Sequence, residues 1–224
     1  RDLRMSRGLG DVYKRQMPVH PSQGHYENTL ANAIAWYFRN EETPFVFRAV
    51  NRLDRDTSGL ILLAKNPYSS CILSDAVKDH AIHREYAAIV SGKTADSGTI
   101  DLPIARKDGS TIERVCDPER GDAAVTHYQT IAYNKDADLS FIRLLLETGR
   151  THQIRVHMKA IGHPLPGDFL YCPDYRLIDR QPLHSIYLSF SHPVTGKKLE
   201  FSAPLPQDMR NLFPDIKNPE GPVF

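Results

Sequence analysis

Two short apolar runs, Phe45–Val50 and Gly59–Ala64, flank a polar stretch that reads NRLDRDTSG at Asn51–Gly59. Apolar runs of this length, bounded by Asp, Thr, Ser and Gly, are typical of strands joined by a turn. The stretch therefore predicts a strand–turn–strand unit that holds Asp54 on a tight turn between two core strands. An acid in such a place needs a nearby cation if it is to stay ionised.

The remaining patterns predict more strands than helices. Helical period and capping residues indicate helices at Thr29–Asn40, Asn66–Asp79, Thr151–Ile161 and Gln207–Phe213. Alternating or continuous apolar patterns indicate strands at Arg84–Val90, Thr99–Ile104, Ala123–Tyr133, Leu139–Glu147, Ser185–Ser191 and Lys198–Ser202. The polar stretch Lys107–Gly121 is predicted to be a loop.

Short turns between these strands favour an α+β fold with a mixed, largely antiparallel sheet flanked by helices. The chain has no GxGxxG motif after a strand and no P-loop. These absences argue against a doubly wound dinucleotide-binding fold and against a P-loop NTPase.

Composition limits the possible partners. The formal net charge of +1 over 224 residues gives no overall basic field, so any surface for nucleic acid must be local. Three scattered cysteines without CxxC spacing are typical of reduced thiols. No apolar run reaches the ~18 residues of a membrane span, and no secretory signal is visible, which favours the cytoplasm.

Residues 1–16 differ in character from the rest of the chain. They are basic, contain glycine and lack hydrophobic period, and a coherent pattern starts only at Met17. We interpret them as a non-native, adapter-like leader that is disordered; a transit peptide is the alternative. Residues 17–224 are then predicted to form one catalytic domain that is truncated at its N-terminus.

A basic segment far downstream offers the cation that Asp54 needs. On a helix from Thr151, His152, Arg155 and Lys159 would share one face, and Arg150 would stand at its start. A guanidinium stays charged and binds a carboxylate through two bonds, so Arg155 is the best partner for Asp54. The alternatives are a solvated basic helix face and a purely structural turn aspartate, a role for which Asp56 is better placed.

Two other residue types admit a functional and a structural interpretation. Tyr86, in the predicted strand Arg84–Val90, is by itself most simply a core tyrosine. His152, His157 and His163 lack the spacing that would place two ligands on one helical face, and no acid accompanies them. A metal site is therefore not predicted.

Taken together, these segments resemble the RluA-type pseudouridine synthases from Met17 to about Arg210. Three family motifs are matched by Asn51–Gly59, by Arg84–Gly92 and by the intact GRTHQIRVH at Gly149–His157. Further matches follow in the family's order at Gly162–Tyr171 (GHPLPGDFLY), Leu183–Ser185 (LHS), His192–Gly196 (HPVTG) and Phe201–Pro206 (FSAPLP). Asn51 stands where the family usually has His, and neither the family's preceding strand nor an upstream S4-type domain is visible.

The resemblance implies an isomerase that converts specific uridines of structured ribosomal or transfer RNA to pseudouridine. It implies Asp54 as the catalytic aspartate, Tyr86 as the ring that stacks on the target uracil, and Arg155 as the ion-pair partner of Asp54. The residues expected to contact RNA are Arg52, which would help to displace the flipped base, and Arg150, His152, Lys159 and Arg143. Neither a metal nor another cofactor is required, and we expect a monomer.

Two other functions stay open at this point. A non-catalytic RNA-binding module would explain the basic helix face and the apparent truncation. A nucleoside hydrolase or glycosidase could use Asp54 and Asp56 as a pair of carboxylates, since such enzymes generally need two.

Overall fold

The computed structural model describes residues 17–21, 26–40, 46–217 and 221–224. The chain divides into two compact units, the first formed by the residues up to His83 together with Tyr187–Ala203. The second comprises Arg84–Ile186 and Pro204–Phe224. The leader predicted at residues 1–16 lies outside the described residues.

Antiparallel strands dominate, and the predicted α+β fold is confirmed. The helices are α1 (Leu30–Tyr37), α2 (Pro67–Lys78), α3 (Gln153–Ala160) and α4 (Gln207–Leu212). The strands are β1 (Ser58–Gly59), β2 (His83–Ser91), β3 (Ser97–Asp101), β4 (Ile104–Arg106), β5 (Arg114–Cys116), β6 (Val125–Asn134), β7 (Leu139–Leu146), β8 (Leu183–Ser191) and β9 (Lys198–Ser202). Within the described ranges, no helix has both the length and the apolar character to cross a bilayer.

The second unit is built on an antiparallel sheet in which β2 pairs with β7, β7 with β6, and β6 with β3. The predicted hairpin of β6 and β7 is present, with a register shift between Thr130 and Ala132. Strand β2 is central, since Ala87–Val90 are fully buried. Burial on both faces explains why this strand reads as a continuous apolar run rather than as an alternating one.

The first unit packs helix α2 and the β8–β9 hairpin around one apolar cluster. The cluster joins Leu62, Ala64, Leu73, Ile82, Leu188 and Phe190. Asn66 caps α2 as predicted, because its Oδ1 accepts the Ser69 N–H at 2.8 Å and Pro67 occupies the first turn. The cluster anchors residues 60–64 directly after the turn that carries Asp54.

The two apolar runs beside that turn do not form the strands that we predicted. Only an isolated bridge, Ala49 to Leu63, and the two-residue strand β1 are present in the described part of these runs; Phe45 lies outside the described residues. The Asn51 side chain accepts the Leu62 N–H at 2.7 Å. A side chain thus replaces the main-chain carbonyl as acceptor, and the pairing of the two runs is limited to the single bridge of Ala49 and Leu63.

The predicted loop Lys107–Gly121 is also corrected, because it contains strand β5. Arg114–Cys116 pairs with Ile104–Arg106 as a two-stranded antiparallel ribbon. The predicted strand Thr99–Ile104 is divided between β3 and β4 at Leu102 and Pro103. Proline lacks the N–H that a continuous ladder would need, so the break falls at this position.

Candidate active site

Main-chain hydrogen bonds close the turn that carries Asp54. The Thr57 N–H donates to the Asp54 carbonyl oxygen at 3.0 Å, so Arg55 and Asp56 occupy the centre of the turn. Asp54 is half-buried and Arg52 is exposed. The motif therefore presents a carboxylate that is partly withdrawn from water and next to an accessible guanidinium.

Asp56 differs from Asp54 in its surroundings. Its Oδ2 lies 3.2 Å from the Arg55 Nη2, in an ion pair within the turn. The side chain of Arg55 is half exposed, and that of Asp56 is largely buried. Asp56 thus pairs with its neighbour at the centre of the turn. The backbone-capping role that the sequence favoured for Asp56 stays a prediction.

Tyr86 lies on β2, opposite Leu144 of β7, and its side chain is 6% exposed. Its neighbours on either side, Glu85 and Ala87, are also buried. Tyr86 is therefore held in a fixed place by the sheet. Its contact with uracil stays a prediction.

Helix α3 is not the amphipathic basic helix that we predicted. All six residues from Gln153 to Met158 are buried, and only Lys159 and Ala160 at its C-terminal end are exposed. Arg155 is 1% exposed, so it does not belong to a solvated basic face. Of that face, Lys159 alone is placed where phosphate could reach it.

Arg155 forms a bidentate ion pair with Asp168. The Nε atom donates to Oδ2 at 2.6 Å and the Nη2 atom donates to Oδ1 at 2.7 Å, and both side chains are buried. The guanidinium also lies 5.0 Å from the centre of the Tyr171 ring. Two parallel charge-assisted bonds and an aromatic contact fix its orientation.

Sequence reasoning assigned no role to Asp168. The residue follows Gly167, whose φ of +71° and close approach to the carbonyl oxygens of Ile178 and Arg180 exclude a side chain there. The Oδ1 atom of Asp168 also accepts the N–H groups of Leu170 and Tyr171 at 3.0 and 3.1 Å. The available signal was the motif GHPLPGDFLY, which contains one acid among apolar residues.

Asp54 belongs to the first unit and Arg155 to the second. The ion pair that the sequence predicts between them would join the two units, and it stays a prediction. What is established within the second unit is that Asp168 holds two of the guanidinium nitrogens.

His152 adopts the left-handed conformation with φ 60°, and α3 therefore begins at Gln153 rather than at Thr151. The side chain of Gln153 stabilises this turn, because its Oε1 accepts the Arg150 N–H at 2.9 Å. Its Nε2 donates to the Val125 carbonyl at 3.0 Å. The Nδ1 atom of His152 bonds the Tyr171 hydroxyl at 2.8 Å, so the imidazole is held against the protein.

Two of the predicted RNA contacts have different environments. The guanidinium of Arg150 is exposed, with Nε donating to the Ala123 carbonyl at 3.0 Å. Arg143 is 2% exposed and its Nη2 donates to the buried carboxylate of Glu85, its neighbour across the sheet. Its assignment to the RNA backbone is therefore corrected: Arg143 neutralises a buried acid inside the second unit.

His157 is a buried base in the same helix. Its Nε2 contacts the Leu102 carbonyl at 2.8 Å, which requires Nε2 to carry the proton, and its Nδ1 lies 2.9 Å from the Thr126 hydroxyl. Burial lowers the pKa of His157 below its ordinary 6.5, although the Leu102 carbonyl and the Asp101 carboxylate oppose the shift. At neutral pH the imidazole of His157 is therefore uncharged in the folded protein.

We expect His157 to reduce stability in mild acid. Because its pKa is lower in the folded state, the unfolded chain takes up a proton first, so stability is complete above pH 6.5 and declines below it. One such group contributes a slope of at most about 1.4 kcal/mol per pH unit. Urea unfolding between about pH 7 and pH 5 should show a flatter decline for His157→Gln than for the wild type; equal slopes would contradict this.

Among the described residues, no group of three or more His, Cys, Asp and Glu side chains is arranged to hold a metal ion. The imidazole Nδ1 of His163, for example, lies 2.9 Å from the Ser91 carbonyl. The geometry therefore offers a carboxylate on a turn, a buried aromatic ring and a guanidinium of fixed orientation.

Comparison with known proteins assigns this chain to a family. The model of the family described as RNA pseudouridylate synthase matches residues 13–160. The chain belongs to the RNA pseudouridine synthases. This family of isomerases is the one that the ordered motifs indicated, and the RluA-type resemblance is confirmed.

Relatives with known names are similar over most of this chain. An RNA pseudouridine synthase of Bacillus subtilis, YjbO, is 47% identical over 194 residues, which are 86% of this chain and 68% of the relative. The ribosomal large subunit pseudouridine synthase D of Zymomonas mobilis is 42% identical over 214 residues, covering 88% and 66%. The chain thus spans about two thirds of the length of these relatives.

A solved structure has the same fold. Human RNA Pseudouridylate Synthase Domain Containing 1 superposes with a TM-score of 0.68 over 93% of this chain and 98% of its own, at 22% identity. At this identity the likeness concerns the fold, and it confirms the pseudouridine synthase core.

Proposed function

We propose that this protein converts uridine to pseudouridine in structured RNA, and that large-subunit ribosomal RNA is its first candidate substrate. The observation that carries the proposal is the family match over residues 13–160, which includes all three motifs. The name of the Zymomonas mobilis relative supports the ribosomal substrate. We further propose that the protein acts as a monomer in the cytoplasm, without a metal or another cofactor.

The proposed reaction needs one ionised carboxylate. The N1–C1′ bond breaks, the uracil turns, a C5–C1′ bond forms, and the proton leaves C5 while N1 gains one. Because the departing uracil anion is delocalised, it needs less acid assistance than an ordinary glycosidic leaving group. We assign the carboxylate to Asp54, which acts either as a nucleophile at C1′ or as a base at C2′.

We propose that Arg155 supports Asp54 through the edge of its guanidinium that Asp168 does not use. Asp168 binds Nε and Nη2, so the remaining Nη1 is directed away from that carboxylate. A guanidinium of fixed orientation would hold Asp54 in one rotamer at little entropic cost. Asp168 is in this scheme a positioning residue, since it acts through Arg155.

The target base must leave its stack before it can react. Unstacking costs a few kcal/mol, and less in a loop or bulge. Stacking on an aromatic ring is worth about 1–3 kcal/mol per base, which would offset much of that cost at Tyr86. The exposed guanidinium of Arg52 is suited to occupy the place that the flipped base leaves.

Mapping of modified uridines tests the proposal directly. Unmodified transcripts of large-subunit ribosomal RNA and of transfer RNA are incubated with the protein, and pseudouridine is located by carbodiimide labelling and primer extension. We expect stops at a small number of defined uridines, and no free uracil. Release of uracil would indicate a glycosidase, and tight binding without modification would indicate a binding module; either result contradicts the proposal.

A further inference from the structure

A cavity of about 420 Å³ in the second unit is lined by four arginines. Arg106 and Arg114 come from the β4–β5 ribbon, Arg120 from the segment after it, and Arg150 from the turn before α3. The acidic residue in its lining is Asp122. Of these four arginines, only Arg150 was predicted from the sequence to contact RNA, and Arg114 and Arg120 lie in the segment that was predicted to be a loop.

Two of these arginines face each other directly across the ribbon. Arg106 is the register partner of Arg114, so their side chains leave the same face. At the next pair of residues, the Lys107 N–H donates to the Glu113 carbonyl oxygen at 3.1 Å. Arg106 and Arg114 are therefore a non-hydrogen-bonded pair, the type of pair in which the side chains lie closer together. Like charges in this arrangement destabilise a sheet unless an anion compensates them.

Carboxylates of the protein compensate the other two arginines. Arg120 pairs with Asp108 and Asp117 at 2.9 and 2.8 Å, and Arg150 lies 3.5 Å from Asp122. Among the described residues, by contrast, no carboxylate pairs with Arg106 or Arg114. The Arg114 Nη1 donates to the main-chain carbonyls of Ile112 and Glu113, which orients its guanidinium without neutralising it.

We propose that this arginine pocket binds one phosphodiester of the RNA backbone. This inference rests on the proposed function and adds a second contact site for the same substrate. Guanidinium groups match phosphate oxygens through paired hydrogen bonds, and two facing arginines offer such pairs from both sides. Thr151, two residues before α3, also lines the cavity.

The salt dependence of binding tests the pocket. A fluorescein-labelled RNA stem-loop with uridines in its loop is titrated with wild type and with Arg106→Gln at roughly 50 to 200 mM KCl. Loss of one phosphate contact should weaken binding about tenfold and reduce the slope of log Kd against log[salt] by about 1. Arg106→Lys keeps the charge but not the paired hydrogen-bond geometry, so its Kd for RNA should lie between those of wild type and Arg106→Gln.

Arg176→Gln is the matched control, because it removes one positive charge from an exposed arginine of the same unit that pairs with Asp174. It should shift binding little. If Arg106→Gln binds RNA as Arg176→Gln does, the pocket is not a phosphate site and an acidic protein partner becomes the better occupant. Binding needs no turnover, so this outcome is separate from a failure of wild type to modify uridine.

Discussion

Replacement of Asp54 by Asn should reduce pseudouridine formation by about a thousandfold, within the range that a positioned acid or base contributes. Asn retains the shape of the side chain and the Asp54 carbonyl that accepts the Thr57 N–H, so the turn should be preserved. The variant lacks only the negative charge that either route requires. Primer-extension mapping at fixed times gives the rate, and anisotropy with the same RNA should give an unchanged Kd.

The neighbouring acid provides the control for this experiment. Asp56→Asn changes the same functional group two residues away, in a side chain that pairs with Arg55. We expect the loss of rate in Asp56→Asn to be smaller than the loss in Asp54→Asn by a factor of at least about one hundred. Equal losses in the two variants would favour a mechanism with two carboxylates and would contradict the assignment of Asp54.

Asp168→Asn should destabilise the protein by about 3–5 kcal/mol, because it removes the buried carboxylate charge that Nε and Nη2 of the buried Arg155 bind. The amide can still accept the N–H groups of Leu170 and Tyr171, so the loss isolates the ion pair. Urea unfolding measures the effect. The exposed pair of Asp174 and Arg176 has the same residue types and a similar short distance, 2.6 Å; Asp174→Asn should leave the unfolding midpoint nearly unchanged.

A double variant separates stability from positioning. Arg155→Met together with Asp168→Asn removes both charges and keeps an acceptor for the N–H groups of Leu170 and Tyr171, so it should restore most of the stability that either single change removes. We expect this protein to unfold close to the wild-type urea concentration while it fails to modify RNA. Recovery of activity along with stability would show that the pair is only structural and that Arg155 has no part in the reaction.

The sequence predicted the elements that local chemistry determines. Helix α2 begins where Asn66 and Pro67 place it, and the β6–β7 hairpin follows its apolar pattern. The motif around Asp54 was correctly predicted to be a turn. In each case the deciding residues lie within a few positions of the structure that they specify, so a short window of sequence contains the whole cause.

The sequence did not predict that two charged side chains, those of Arg155 and Arg143, are buried. Arg155 was placed on a basic helix face as the partner of Asp54, and Arg143 among the RNA contacts. Their partners, Asp168 and Glu85, come from other segments, and Glu85 is 58 positions away from Arg143. A pattern along one helix or strand contains no information about an acid that only the folded chain brings into contact.

Weak local signals were also overridden by single side chains. The apolar runs at 46–50 and 59–64 have the composition of strands, yet Asn51 takes the Leu62 N–H and ends their pairing. The ribbon of β4 and β5 was missed for a different reason, because its strands have only three residues each and β5 lies within a mostly polar segment. Its arginine pocket could not be recognised until the register placed Arg106 opposite Arg114.

The buried pair of Glu85 and Arg143 limits which substitutions the chain tolerates at these two positions. Glu85 accepts the N–H groups of Val223 and Phe224 as well as the guanidinium, so it binds two distant parts of the second unit. Loss of either charge leaves the other charge of the pair uncompensated in the interior. Replacement of both residues by apolar ones is tolerated. A change of charge at one of the two positions of this chain should therefore be compatible with folding only together with a change at the other.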